Sequence, residues 1–171
     1  MNNSIDAKNL SCRELNSRVK KRLEDFSLLG EDIVLTNVCG QRYIGDGIQA
    51  AANIKVQGIA GNNLGAFMDG PTIEVFSNGQ DGIGNTMNSG RIIIHGDAGD
   101  ILGYSMRGGE IYIKHNVGYR CGIHMKSYQG KVPVIVIGGR AGNFLGEYMA
   151  GGIIIVLGLD SERVNRNPYF F

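Results

Sequence analysis

A methionine recurs every 19 residues through the middle of this chain, and that spacing limits the possible folds more than any other feature. Met68, Met87, Met106 and Met125 stand at equal intervals, and Met149 follows after 24 residues, an excess of five. A glycine precedes each of them by three positions: Gly65, Gly84, Gly103, Gly122 and Gly146. Four residues further back stand Gly61, Gly99, Gly118 and Gly142, with Gln80 as the exception. Just before the second glycine lies Leu64, Ile83, Leu102, Cys121 or Leu145. Five and seven residues after the methionine come Ile73/Val75, Ile92/Ile94, Ile111/Ile113 and Ile154/Val156. Ile135/Ile137 complete the series if the extra five residues form a loop at 126–131.

A unit of this length with one short alternating strand cannot bury its own apolar side, whereas units stacked in register share a continuous core. The spacing therefore predicts an all-β fold, a single-stranded parallel β-helix of about 19-residue coils. The glycines turn the corners, where positive φ or a close backbone approach is required. The methionines and the Leu/Ile/Cys positions stack inward as ladders. An earlier coil is read at Ile54 and Val56, preceded by Gly40, Gly45 and Gly47, and a still earlier strand at Ile33–Leu35. Ser11 and Glu14 form a capping box ahead of an apolar stripe at Leu15, Val19, Leu23 and Phe26, which predicts a helix over about 12–26. The expected organisation is a helical cap over 1–30, the β-helix over 31–158 and an extended tail over 159–171.

Composition removes other classes. Glycine fills 27 of 171 positions, but not every third one, and proline only three, so collagen is excluded. Seventeen basic residues against 16 acidic ones leave no nucleic-acid footprint. The run Ile153–Leu157 is far shorter than the roughly 20 residues of a membrane span. The polar N-terminus has no apolar signal core, and three irregularly spaced cysteines make no disulfide framework. No membrane or nucleic-acid partner is expected, and the expected location is the cytoplasm.

Few residues point to chemistry. Gly45-Asp46-Gly47-Ile48-Gln49-Ala50 matches a dinucleotide fingerprint in form, but a strand follows where that motif needs a helix. His115, Cys121, His124 and His95 suit a zinc site by residue type, yet the repeat register scatters them. Cys121 takes the place of the core Leu/Ile residues, and His124 the outward place of Phe67, Thr86, Ser105 and Tyr148. No catalytic, cofactor or metal residue is assigned. One feature does ask for a function. Between each inward pair lies an outward residue, and down the coils these are Glu74, Ile93, Tyr112, Val136 and Ile155, with Ile153 and Leu157 flanking the last. Such an apolar exterior needs a cover, from the N-terminal helix or from another chain. Tyr112, Val136, Ile153, Ile155, Leu157 and the terminal Tyr169, Phe170 and Phe171 are the candidate interface residues.

The runs GDAGDILGYSMRGGE from Gly96 and GGRAGNFLGEYMAGGIIIVLG from Gly138, with Gly58–Gly70, resemble the C-terminal glycine-repeat (GXGXG) β-helix domain of glutamate synthase large subunits. The C subunit of formylmethanofuran dehydrogenase is similar. The resemblance spans about 12–158 and implies a right-handed coil. The chain departs from the whole enzyme in lacking the amidotransferase domain and the FMN-binding barrel with its iron–sulfur cysteines. The resemblance thus implies a stand-alone, non-catalytic scaffold subunit of a glutamate synthase, which makes glutamate from glutamine and 2-oxoglutarate. It would dock a glutamine amidotransferase subunit and an FMN/iron–sulfur synthase subunit, carry no cofactor itself and form homo-oligomers where its faces allow. A formylmethanofuran dehydrogenase-type complex is the alternative. An independent solenoid enzyme of the hexapeptide-repeat type is disfavoured, because 19 is not a multiple of six.

Overall fold

The chain is seen in a computed structural model that describes residues 3–24 and 30–159. Its eight strands form one wholly parallel sheet in chain order: β1 (Ser4–Asp6), β2 (Ile33–Cys39), β3 (Asn53–Ile59), β4 (Asp69–Val75), β5 (Ser89–Ile94), β6 (Glu110–Ile113), β7 (Val134–Ile137) and β8 (Ile153–Val156). Sequential parallel pairing requires a full circuit of chain between neighbours, so the structure is a β-solenoid, as the repeat predicts. Register follows the repeat too. Ile54, Ile73, Ile92, Ile111, Ile135 and Ile154 are direct partners in one inward column. A second, thinner ladder of parallel bridges links Ala60, Gly79, Ala98, Val117 and Ala141 on another side of each coil.

The core is the lumen of this stack. Met68, Met87, Met106 and Met125 are fully buried, as are Leu64, Ile83 and Leu102. Cys121 joins them at 1% exposure, and burial pushes its thiol up to about 12. Burial stops with the last coil, where Leu145 is 40% exposed and Met149 is only partly covered.

The corner before each methionine has an unusual backbone. Three left-handed residues alternate with others, at five, three and one positions before the methionine. In one coil they are Ile101, Gly103 and Ser105, with φ of 51°, 67° and 51°. The alternation sends successive amides in opposite directions along the stack. Ile101 and Ser105 donate to Tyr119 and Ile123 of the next coil, and Gly103 donates to Ile83 of the previous one. Glycine is needed at the middle position for space as well as conformation. A Cβ on Gly103 would stand 2.5 Å from Ile135 Cδ1, and Gly45, Gly84 and Gly122 meet Ile73, Ile111 and Ile154 in the same way. Gly45 thus serves a corner, and the segment after it runs on to β3.

The N-terminal end is closed. The capping box forms, with Ser11 N–H donating to Glu14 Oε2 and Glu14 N–H to Ser11 Oγ. Helix α1 (Cys12–Leu23) buries Leu15 and Val19 in the core cluster beside Ile5 and packs on β1. It has Glu24 as its C-cap and so stops short of the expected residue 26. Strand β1 is an addition to the sequence reading. Its single apolar residue, Ile5, gives no legible alternation, and the strand exists through pairing with β2, Ile5 opposite Leu35. The extra residues of the longer coil form the expected loop. Its turn, Tyr128–Lys131, has positive φ at both Gln129 and Gly130, the type I′ pattern of a tight hairpin. Lys131 pins this loop back to Asp69 at 3.3 Å.

Candidate interaction surfaces

Two columns of polar side chains run along the stack, and both do structural work. Asn62, Asp81 and Asp100 each accept, through Oδ1, the backbone N–H of the residue one coil ahead, at 3.2, 2.9 and 2.8 Å. Asn78, Asp97 and Asn116 do the same for Asp97, Asn116 and Arg140, each at 2.9 Å. Four of the six lie against a glycine of the next coil: at Gly96, Gly99, Gly118 and Gly139 a Cβ would strike the Oδ1 of Asn78, Asp81, Asp100 and Asn116. These Asx ladders were not singled out from sequence, although their 19-residue spacing was visible there. The acidic groups that line the groove between the ladders are therefore engaged in holding coil to coil.

The His and Cys residues that suit a zinc site by type lie apart in role and place. Among the described residues no group of three or more His, Cys, Asp or Glu is arranged to hold a metal ion. Cys121 faces the lumen. His95 pairs with Glu74 at 2.8 Å and stacks on Phe76 at 5.1 Å. His124 is exposed, as its register predicts, and belongs to an aromatic column. It stacks on Tyr148 at 5.2 Å and meets the edge of Tyr104 at 5.7 Å. Beside it Arg120 lies 5.2 Å over the ring of Phe144. Four of these five residues are joined by a backbone cost: Arg120, His124, Phe144 and Tyr148 all have φ between 55° and 64°. A side chain in that region costs roughly 1–2 kcal/mol that glycine avoids. Here the side chains are exposed, so lumen burial does not offset the cost.

The outer column is confirmed as a set of direct partners, Glu74, Ile93, Tyr112, Val136 and Ile155. Neighbouring side chains shield Tyr112 and Val136 to half-burial. Tyr112 also sits between Glu110, which accepts its hydroxyl hydrogen at 3.1 Å, and Arg91, which lies 5.9 Å from its ring. Ile153, Ile155 and Leu157 remain 47%, 42% and 51% exposed. Because α1 lies on β1 at the opposite end, it is not their cover. Tyr169, Phe170 and Phe171 lie outside the described residues.

At the C-terminal end the stack stops without a cap among the described residues. One edge of β8 pairs with β7, and no described strand lies on the other. Phe144 and Tyr148 occupy the two corner positions whose amides, in every earlier coil, donate to the next coil. Here no described residue accepts them. Phe144, Leu145, Tyr148, Val156 and Leu159 are exposed around this edge by between 40% and 74%. No helix among the described residues is long and apolar enough to cross a membrane.

The sequence profile of the family described as GXGXG motif matches residues 31–166. Uncharacterized protein MJ1350 of Methanocaldococcus jannaschii is 64% identical over 159 residues, which cover 92% of this chain and 60% of that protein. The chain thus spans about three fifths of that relative's length. No solved structure matches.

Proposed function

The chain belongs to the GXGXG motif family, and we propose that it is the non-catalytic scaffold subunit of a glutamate synthase-type complex. In this reading it docks a glutamine amidotransferase subunit and a synthase subunit that carries FMN and iron–sulfur clusters. The observation that supports a scaffold most directly is the use of the polar residues. Asp81, Asp97, Asp100, Asn78 and Asn116 hold backbone amides of successive coils, which makes the solenoid stiff along its axis. Meanwhile strained, exposed aromatic side chains and Arg120 form a rim, and aromatic residues with arginine are the usual anchors of protein interfaces. A rigid rod with an aromatic, cationic rim is suited to holding other chains at a fixed separation.

The test is co-expression of the tagged full chain with the separately encoded amidotransferase and synthase polypeptides of the same genome. A stable ternary complex is expected, whose conversion of glutamine and 2-oxoglutarate to glutamate falls when this chain is left out. Failure of all three to associate, or full activity without this chain, would overturn the proposal. So would one equivalent of flavin or metal on the chain purified alone, because the reading assigns it no cofactor.

A further inference from the structure

We propose that the C-terminal end of the solenoid, uncapped among the described residues, is a two-fold interface at which a second copy of this chain completes the stack. The inference does not depend on the reading of the complex above. It begins from an asymmetry: α1 covers the N-terminal end, while β8 and the corner at 144–148 present an edge. Solenoid ends and bare strand edges are where uncontrolled pairing starts, and proteins blunt them with lysine, proline, bulges or a covering element. Strand β8, whose sequence is Ile-Ile-Ile-Val, has no lysine or proline, and no covering element lies on it among the described residues.

Three features favour a second copy as the occupant. The first is area. The five apolar side chains around the edge, Phe144, Leu145, Tyr148, Val156 and Leu159, at 40–74% exposure, present on the order of 500 Å². That is more than half of the roughly 800 Å² per partner of a standard stable interface, before the backbone of β8 and of the corner is counted. The second is charge. Between Ala141 and Leu159 the only side chain charged at neutral pH is Glu147, and Arg120 lies over Phe144 beside it, so the end carries one charge of each sign and does not repel its own copy. The third is closure. Two such ends related by a two-fold axis place β8 against β8 antiparallel and lumen against lumen, with Leu145, Met149 and Val156 meeting their own counterparts. Because α1 blocks the other end, the contact closes as a dimer and does not propagate into a filament.

The experiment is light scattering coupled to size exclusion on the full chain, loaded from about 1 to 100 μM, a range that spans ordinary dimer affinities. A mass of twice 18.5 kDa is expected. Leu145→Lys, at the centre of the end, and Tyr148→Lys, at its rim, should each raise the dissociation constant at least about tenfold, because each puts a desolvated charge in the interface. Tyr148 is 73% exposed, so that variant should melt like the parent even if Leu145→Lys does not fold. Tyr43→Lys, near the capped end, should leave the dimer unchanged. A monomer throughout the range overturns the proposal, and so does a dimer indifferent to both end variants. A full chain that is monomeric and dimerises only after removal of residues 160–171 overturns it in favour of the chain's own terminal segment.

Discussion

Replacing Gly103 with alanine separates two costs that the repeat combines at one position. The backbone there has φ of 67°, and the new Cβ would lie 2.5 Å from Ile135 Cδ1, a fully buried atom of the next coil. The conformation alone costs an alanine roughly 1–2 kcal/mol. Carbon atoms prefer about 3.5–4.0 Å, so the Ile135 side chain must also move inside a filled lumen, which adds roughly 1–3 kcal/mol. The expected loss is about 2–5 kcal/mol, measured by reversible urea unfolding followed by circular dichroism. Gly130→Ala is the control, since Gly130 has φ of 77° but nothing within 4 Å of its would-be Cβ. It should lose only the first part. Ile135→Val deletes the obstructing methyl and should cost about 0.5–1.5 kcal/mol alone, yet much less when Gly103 is already alanine. Equal losses at Gly103 and Gly130, or strict additivity with Ile135→Val, would refute the steric reasoning and leave conformation as the only role of the glycine.

Met106→Ala should destabilise by about 2–5 kcal/mol, because its fully buried side chain stacks in the lumen and its removal leaves a cavity; the same denaturation assay measures it. Met106→Asp should abolish the folded signal altogether. Iodoacetamide at pH 8 should modify the exposed Cys39 and spare Cys121 until the protein unfolds, as peptide mass spectrometry would record. A thiol pushed up to about 12 is ionised there in only about one molecule in ten thousand. The Asp69 carboxyl is held below its ordinary value, first by the Ser89 hydroxyl and then by Lys131. Its contribution is therefore present above the unfolded carboxylate pKa and lost as pH falls through the folded one. Acid melting curves should show that loss in the parent and less of it in Asp69→Asn.

Several elements were legible because their causes lie within one repeat. The 19-residue interval carries the inward isoleucine columns, the buried methionines, the corner glycines and the loop at 126–131, since a stack in register converts spacing directly into contact. Ser11 and Glu14 announced α1 because a capping box is a local hydrogen-bond exchange. The fates of Cys121 and His124 also followed from register alone.

What only the tertiary structure decided involves partners at a distance or ends of the stack. Strand β1 has one apolar residue and exists through pairing with β2, about 30 residues later. The Asx ladders require a side chain in one coil and an amide in the next, with a glycine leaving room at four of the six rungs. The left-handed conformation of Ile101, Arg120 and His124 runs against the preferences of those residues, and it is imposed by amides that must alternate along the axis. Most of all, identical repeat positions have different fates. Leu102 is fully buried and Leu145 is 40% exposed, although both stand just before the same glycine. A repeating sequence specifies how one coil meets the next, whereas burial depends on whether a next coil is there.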